Sequence, residues 1–226
     1  MKRSEVNAII KEAIEFFSLM KFKLPPYAFY SIEDWKAKRS EIQEILDLNL
    51  GWDITDFGSG NFAGMGLVLF TLRNGILNDT RYTKPYAEKI MVVREKQVTP
   101  MHFHWHKMED IINRGGGNLL IELHNSTTDN KLADTEIEVV LDGHLKYLKA
   151  GSIVRLEPGD SICLAQGLYH TFWSEEGKGN VLVGEVSMIN DDSTDNCFLH
   201  SVGRFASINE DVKPSNLLAA DYKNLL

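Results

Sequence analysis

Three histidines at alternate positions stand in the middle of this sequence. They are His102, His104 and His106, in the run TPMHFHWHKMEDIINRGGG that spans residues 99–117. Because side chains alternate between the two faces of a β-strand, these imidazoles would share one face if the run is extended. A turn after the strand could bring Glu109 towards them. Imidazole nitrogens with one carboxylate suit a divalent transition metal, such as Mn, Fe, Co, Ni or Zn.

A fourth histidine follows a turn signal further along the chain. Pro158 and Gly159 favour a turn, a strand-like run follows at residues 161–165, and Gly167 then precedes His170. A His-x-His pair on its own is more often a surface or core pair than a metal site. His170 supplies the second half that a two-part metal site needs, so the two segments together predict one.

These two segments resemble the two motifs of the cupin superfamily. The first motif has a His-x-His pair followed by Glu and Gly, and the second has a Pro-Gly turn followed by Gly and His. The resemblance implies a cupin-type β-barrel (jelly roll) with metal ligands at His102, His104, Glu109 and His170. The spacing selects this pair, because four residues separate His104 from Glu109 whereas only two separate His106 from it. His106 is then left near the ligands, facing a substrate or solvent.

The resemblance extends to the D-lyxose isomerase family of cupin sugar isomerases. The run at 99–117, GLYHTFW at 167–173 and GEVS at 184–187 carry it, and the match covers most of the chain. It implies a metal-dependent isomerase that interconverts D-lyxose and D-xylulose, with D-mannose and D-fructose as a related pair. It also implies manganese as the metal and a homodimer. It leaves open whether the reaction follows an enediol or a hydride-shift route.

Moving a proton between adjacent sugar carbons requires a base. Glu185 is the first candidate, because a carboxylate among apolar neighbours needs a partner or a raised pKa; an outward, solvated glutamate is the alternative. Lys107 could polarise a sugar oxygen, or simply be solvated at a strand end. Glu109 could serve as both ligand and base. Asp195 and Arg204 are further candidates for binding sugar hydroxyls.

Two other functions fit a cupin of this kind. An iron-dependent dioxygenase would use the same three histidines and one glutamate and bind oxygen at the open metal positions. A non-catalytic sugar-binding protein would bind its ligand without turnover. The intact set of metal ligands, together with spare acidic and basic residues, favours an enzyme.

The remaining patterns predict helices first and strands afterwards. Apolar residues recur at helical spacing over residues 4–20, and Ser31 with Asp34 predicts a capped second helix that runs through Leu46. The strand candidates include 152–156 and 181–188, with none between 106 and 118. The glycines at 115–117 indicate a turn, and Asp142-Gly143 indicates a hairpin. Many short strands punctuated by turn signals then favour a sandwich or barrel. We therefore expect a mainly β, single cupin domain over residues 1–226, with residues 1–50 as a helical extension packed outside the barrel.

Charge and cysteine content limit the partners. The formal net charge of −8 argues against nucleic acid or an anionic membrane surface, both of which favour a basic face. Only Cys163 and Cys197 are present, which suits a reducing compartment. The N-terminal segment lacks the apolar stretch of a signal peptide, and no run is long enough to span a bilayer. We expect a cytoplasmic protein whose partner is a small sugar.

Overall fold

The computed structural model describes residues 1–203 and 206–225. Within these residues the α-helices are α1 Arg3–Leu19, α2 Ile32–Ala37, α3 Gln43–Asp47 and α4 Tyr222–Leu225, with 3-10 turns at Pro26–Phe29 and Ala219–Asp221. The strands are β1 Gly51–Thr55, β2 Leu67–Arg73, β3 Tyr86–Val93, β4 His102–His104, β5 Glu109–Gly116, β6 Leu119–Asn125, β7 Ile137–Leu141, β8 His144–Leu148, β9 Ser152–Leu156, β10 Ser161–Leu164, β11 Leu168–Ser174, β12 Val181–Met188 and β13 Asn196–Phe198.

Two antiparallel sheets pack face to face. The larger has the strand order β1-β2-β3-β12-β5-β10-β7-β8, and the smaller has the order β13-β4-β11-β6-β9. A buried apolar cluster joins their inner faces and includes Met91 and Ile111 from the larger sheet and Leu123 and Phe172 from the smaller. The predicted mainly β fold class is therefore confirmed, and polar side chains on the inner faces lie in a protected interior.

Helix α1 covers the outer face of the first strands of the larger sheet. Its buried residues Val6, Ile10 and Phe17 pack against Trp52 and Phe70. The apolar stripe at helical spacing thus finds the sheet surface that it needs. Of the described residues, no helix combines the length and apolar character needed to cross a membrane.

The second predicted helix begins where its capping signal stands. The backbone N–H of Asp34 donates to the Ser31 hydroxyl, and the Asp34 carboxylate accepts from the backbone N–H of Ser31. Helix α2 ends at Ala37, however, and α3 begins only at Gln43. The apolar pattern that suggested one longer helix is shared between two short ones.

The glycine run at 115–117 is divided between a strand and a turn: Gly115 and Gly116 belong to β5, and Gly117 lies in the connection to β6. Gly116 ends β5 with a φ of +91° and pairs with Val181 of β12, beside a register shift between Leu182 and Val183. A Cβ at Gly116 would lie 2.2 Å from the carbonyl oxygen of Asn180. The glycines therefore allow a close strand approach, and β5 was missed because its end reads as a turn.

Candidate active site

Two neighbouring strands of the smaller sheet carry three histidines. His102 and His104 stand at the two ends of β4, and His170 on β11 pairs directly with His102. Strand alternation turns Phe103 to the opposite face, as expected from the sequence. Each imidazole offers a ring nitrogen, and these atoms lie within 4.8 Å of one another.

Backbone carbonyls fix the orientation of two of these rings. Nδ1 of His102 lies 2.8 Å from the carbonyl oxygen of Pro100, and Nδ1 of His170 lies 3.0 Å from that of Leu168. A carbonyl oxygen can only accept a hydrogen bond, so Nδ1 carries the proton in both rings. The lone pair of each Nε2 is then available to a metal, as in many protein metal sites.

Glu109 reaches the histidines from the opposite sheet. It begins β5, is buried, and its Oε1 lies 3.3 Å from Nε2 of His104 and 3.2 Å from Nε2 of His170. Nε2 of His170 is buried and makes no hydrogen bond. Three imidazole nitrogens and one carboxylate, with a buried nitrogen left without a hydrogen bond, are the donor set and environment that a divalent transition metal would fit.

The protonation states also suit a metal. Burial lowers the pKa of His102 well below its usual value and lowers the pKa of His104 as well, so both imidazoles are neutral near pH 7. Burial would raise the pKa of Glu109, but Lys107 and His104 hold it well below its ordinary range. Neutral imidazoles and an ionised carboxylate are the forms that bind metal ions.

Lys107 and Glu185 lie beside this cluster. The Lys107 ammonium is 2.7 Å from Oε2 of Glu109 and 2.9 Å from Oε1 of Glu185, and all three side chains are buried. Burial would lower the pKa of Lys107, but the carboxylates of Glu109, Glu185 and Asp192 outweigh it and raise that pKa. The lysine is therefore an ammonium ion that joins Glu109 to Glu185.

The remaining predicted residues have different surroundings. The Asp195 carboxylate accepts hydrogen bonds from the backbone N–H groups of His106 and Lys107, at 2.7 and 3.0 Å. Asp195 thus fixes the turn that carries Lys107. His106 does not belong to the histidine triad found among the described residues. Arg204 lies outside the residues that the structure describes.

A cavity of about 910 Å³ lies next to Lys107, because Asn190 and Asp195, which contact that lysine, line it; the histidines, Glu109 and Glu185 are not among its lining residues. Strands β1 and β2, the segment 188–195 and the C-terminal residues 219–223 form its walls. Asp53, Thr71 and Asn190 are among its polar lining residues. His106, which follows β4, and Asp195 also line it. The cavity has room for a small polyhydroxylated molecule, and its lining offers acceptors and donors for hydroxyl groups.

Sequence reasoning missed one buried charge of this cluster. Lys89 lies on the inner face of β3, directly opposite Glu185 of β12, and only 4% of it is exposed. The signal was present, because Lys89 alternates with Ala87, Met91 and Val93. Strand alternation places these residues on one face, and the three apolar ones would have identified it as the buried face.

Comparisons with known proteins agree with this architecture. The family model described as D-lyxose isomerase matches residues 1–222. The D-lyxose/D-mannose isomerase of Serratia proteamaculans is 55% identical over 223 residues and 98% of each chain. The enzyme of the same name from Escherichia coli O157:H7 is 53% identical over 224 residues and 99% of each chain.

Solved structures share the fold at low sequence identity. L-ribose isomerase of Cellulomonas parahominis, determined with L-ribose, matches with a TM-score of 0.61 and 16% identity over 92% of this chain and 98% of that chain. L-ribose isomerase of Geodermatophilus obscurus gives the same TM-score and the same coverage at 14% identity. These likenesses support the cupin-type arrangement of the sheets.

Proposed function

This chain belongs to the D-lyxose isomerase family and is an isomerase, and we propose that it interconverts D-lyxose with D-xylulose and D-mannose with D-fructose. The observation that carries the proposal is that side chains able to bind a metal lie in direct contact with buried acidic and basic side chains. His104 and His170 meet Glu109, and Lys107 links Glu109 to Glu185. The relatives named above act on the same pair of aldoses according to their names.

The proposed metal ligands are His102, His104, Glu109 and His170, and the proposed ion is manganese. The support is the donor chemistry described above together with the family resemblance. A divalent ion held there would supply Lewis-acid polarisation of the sugar carbonyl and its neighbouring hydroxyl. Because Glu109 Oε2 is held by Lys107, its Oε1 is the oxygen left for that ion.

The chain's own residues would carry the proton. On the enediol route, Glu185 is the base that removes the proton from C2 of the aldose and delivers it to C1, while the proton of the C2 hydroxyl passes to the C1 oxygen. The Lys107 ammonium stabilises the negative charge that develops on the adjacent oxygen. Burial of both groups keeps water away, so their charges act strongly on a bound sugar. Asp195 holds the turn that places Lys107.

A panel of aldoses tests the substrate proposal. With manganese-loaded protein, we expect kcat/KM to be highest for D-lyxose, lower but measurable for D-mannose, and at least about 10-fold lower for aldoses of the opposite configuration at the second carbon, because the base must face the proton. Ketose formation is measured directly by chromatography. Turnover of none of these aldoses would contradict the proposal.

The two alternatives have weaker support. An iron dioxygenase could use the same ligands, and a sugar-binding protein could use the same cavity. The similar proteins are named isomerases, and the buried Lys107–Glu185 pair supplies the acid–base groups that neither alternative needs.

We also propose that two copies associate through the outer face of the larger sheet. Over strands β3, β12, β5, β10, β7 and β8, strand pairing places a set of partly exposed apolar residues on this face: Tyr86, Val140, Leu145, Tyr147, Val186 and Met188. Such a surface suits a two-fold contact between identical patches. Light scattering should give twice the mass of one chain, and Leu145→Lys should give monomers. A wild-type monomer would contradict this.

Two further expectations stand as proposals. We propose that the protein acts in the cytoplasm, which is supported by Cys163 and Cys197 being free. Fractionation of cells that express the tagged chain tests this, and recovery of the protein outside the cytoplasm would contradict it. We also propose that residues 1–226 form one domain, and a test is given in the Discussion.

A further inference from the structure

We propose that Lys89 is a positioning residue for Glu185. Together with Lys107 it fixes one carboxylate oxygen of Glu185, so that the other oxygen is the one that receives the substrate proton. This inference rests on the proposed function in one respect, namely that Glu185 acts as the base. It adds a residue that neither the sequence motifs nor the metal ligands point to.

Strand register places Lys89 against Glu185. The two residues are direct partners in the β3–β12 pairing, and Lys89 also pairs with Thr71 of β2, a residue of the cavity wall. An ammonium ion buried on the inner face of a sheet is costly unless acceptors surround it. Lys89 therefore requires partners, and the partners that it has indicate its role.

Three acceptors surround the Lys89 ammonium. Its Nζ lies 2.5 Å from Oδ1 of Asn190, 3.4 Å from Oε1 of Glu185 and 3.5 Å from Oδ1 of Asp192. Both Asn190 and Asp192 line the cavity. Lys89 thus connects the wall of the cavity to the carboxylate that we propose as the base.

The two lysines share their acceptors. Nζ of Lys107 lies 2.9 Å from the same Oε1 of Glu185 and 3.4 Å from the same Oδ1 of Asn190. Two ammonium groups therefore bracket the same pair of oxygens. Among the described residues, every ion pair and hydrogen bond of the Glu185 side chain uses Oε1. Rotating the carboxylate would break contacts to both lysines, so Oε2 keeps a fixed place.

The two lysines differ in their link to the metal ligands. Lys107 also contacts Glu109, so replacing it would disturb the ligand set. The contacts of Lys89 are with Asn190, Glu185 and Asp192, and none of these is a proposed ligand. The charged groups that face Glu185 are the two lysines, with Glu109 and Asp192 behind them. Replacing Lys89 therefore separates the positioning of Glu185 from metal binding.

Four variants test this role. Lys89→Met and Lys89→Gln remove the positive charge, whereas Lys89→Arg keeps it. Lys146→Met is the control, because it removes an exposed lysine from edge strand β8. In both neutral variants we expect an unchanged metal content, a KM within about 3-fold and a kcat lowered by about 100-fold. A loss in kcat with KM nearly unchanged indicates that the reacting group is misplaced rather than that the sugar binds poorly. Lys89→Arg should recover most of the lost kcat.

A second readout does not depend on turnover. The chemical shift of the Glu185 carboxyl carbon can be followed at one fixed pH by carbon NMR of labelled glutamate, with Glu185→Gln providing the assignment. We expect this resonance to move in Lys89→Met and Lys89→Gln, because the ammonium beside Oε1 is lost, and to stay in place in Lys146→Met. An unchanged Glu185 resonance in a folded neutral variant, or a wild-type kcat, would overturn the inference. If the wild type converts no aldose, the proposed function fails, and the resonance alone still decides whether Lys89 acts on Glu185.

Discussion

In both His102 and His170, Nδ1 donates a hydrogen bond to a backbone carbonyl oxygen. This contact determines which ring nitrogen can bind a metal. Their Nε2 atoms and that of His104 are directed by two adjacent strands, whereas Glu109 comes from the opposite sheet. The site is thus assembled from both layers of the fold. The four proposed ligands lie on three strands, β4, β5 and β11, so the loss of one should weaken metal binding without unfolding the protein.

Replacing a ligand histidine should remove metal and activity together. In His102→Ala, loss of one of four ligands should lower the affinity for manganese by at least about 100-fold, because even groups that only support a ligand are worth 10–100-fold. Metal analysis after gel filtration, together with turnover of D-lyxose, measures both effects.

His106→Ala provides the control, since it alters a histidine of the same run outside the triad of described residues. It should keep its metal. An empty site in His106→Ala beside a full site in His104→Ala would show that the assigned ligand pair is wrong.

Glu185→Gln should keep the metal and lose most turnover. The amide preserves the shape of the side chain but cannot accept the proton, so kcat should fall by about 1000-fold. Exchange of the substrate proton in heavy water should fall in parallel. Glu122→Gln is the control, because Glu122 instead contacts His124 on β6. Normal turnover by Glu185→Gln would remove Glu185 from the base role.

The proximity of His102, His104, His170 and Glu109 could be predicted from the sequence because its signal is local. A His-x-His pair, its spacing to Glu109 and a turn before His170 are visible in two short segments. The cluster of Lys107, Glu185 and Lys89 could not be assembled in the same way. It depends on the register between β3 and β12 and on the segment after β12, which no short segment encodes.

At the scale of single elements, the alternation of apolar residues located strands correctly. Glycine content did not distinguish a turn from the end of a strand. Strands β9 and β12 lie where the alternation of apolar residues predicts them. The pair Asp142-Gly143 forms the predicted hairpin turn between β7 and β8, with both residues at positive φ. In the run at 115–117, Gly115 and Gly116 instead belong to β5 and only then does the chain turn, because Gly116 and Gly117 allow close packing against residues 179–180.

These two glycine sites should therefore respond differently to alanine. At Gly116 a Cβ meets a backbone oxygen at 2.2 Å, whereas at Gly143, with a φ of +78°, nothing lies within 4 Å. We expect Gly116→Ala to lower the free energy of unfolding by about 3 kcal/mol. Gly143→Ala should lower it by about 1 kcal/mol, from the left-handed backbone alone. Urea unfolding measures both, and equal losses would contradict this account of β5.

At the scale of the whole molecule, a buried arginine joins the two ends of the chain. Arg3 of α1 donates to both carboxylate oxygens of Glu210 and to both of Asp221, at 2.6–3.0 Å. Its hydrogen bonds to Glu210, and the charges of both carboxylates, raise the pKa of Arg3 further above its ordinary value. The C-terminal segment that forms a wall of the cavity is thereby tied to the N-terminal helix.

Arg3→Met should destabilise the protein by about 2 kcal/mol. Removing one partner of a buried pair costs about 3–5 kcal/mol, and exposure of Glu210 reduces this value. Arg81→Met is the control, because Arg81 is paired but largely exposed, and its loss should change stability far less than the loss of Arg3. Denaturation curves followed by circular dichroism give both values. Equal values would contradict a special role for Arg3.

The same curves test whether residues 1–226 form one domain with residues 1–50 as its helical extension. Helix α1 is buried against the larger sheet rather than against a core of its own. We therefore expect tryptophan fluorescence and circular dichroism to report one coincident transition. Two separated transitions would contradict a single domain.

Isomerisation by metal-stripped protein tests the central claim most directly. Chelation removes the ion that the four proposed ligands would hold, so we expect no ketose from D-lyxose after chelation. Turnover should return as manganese is added, and should saturate at one ion per chain in the wild type but not in His102→Ala. Full turnover by stripped protein would contradict a metal-dependent mechanism. Stoichiometric metal binding without ketose from any aldose would contradict the isomerase itself.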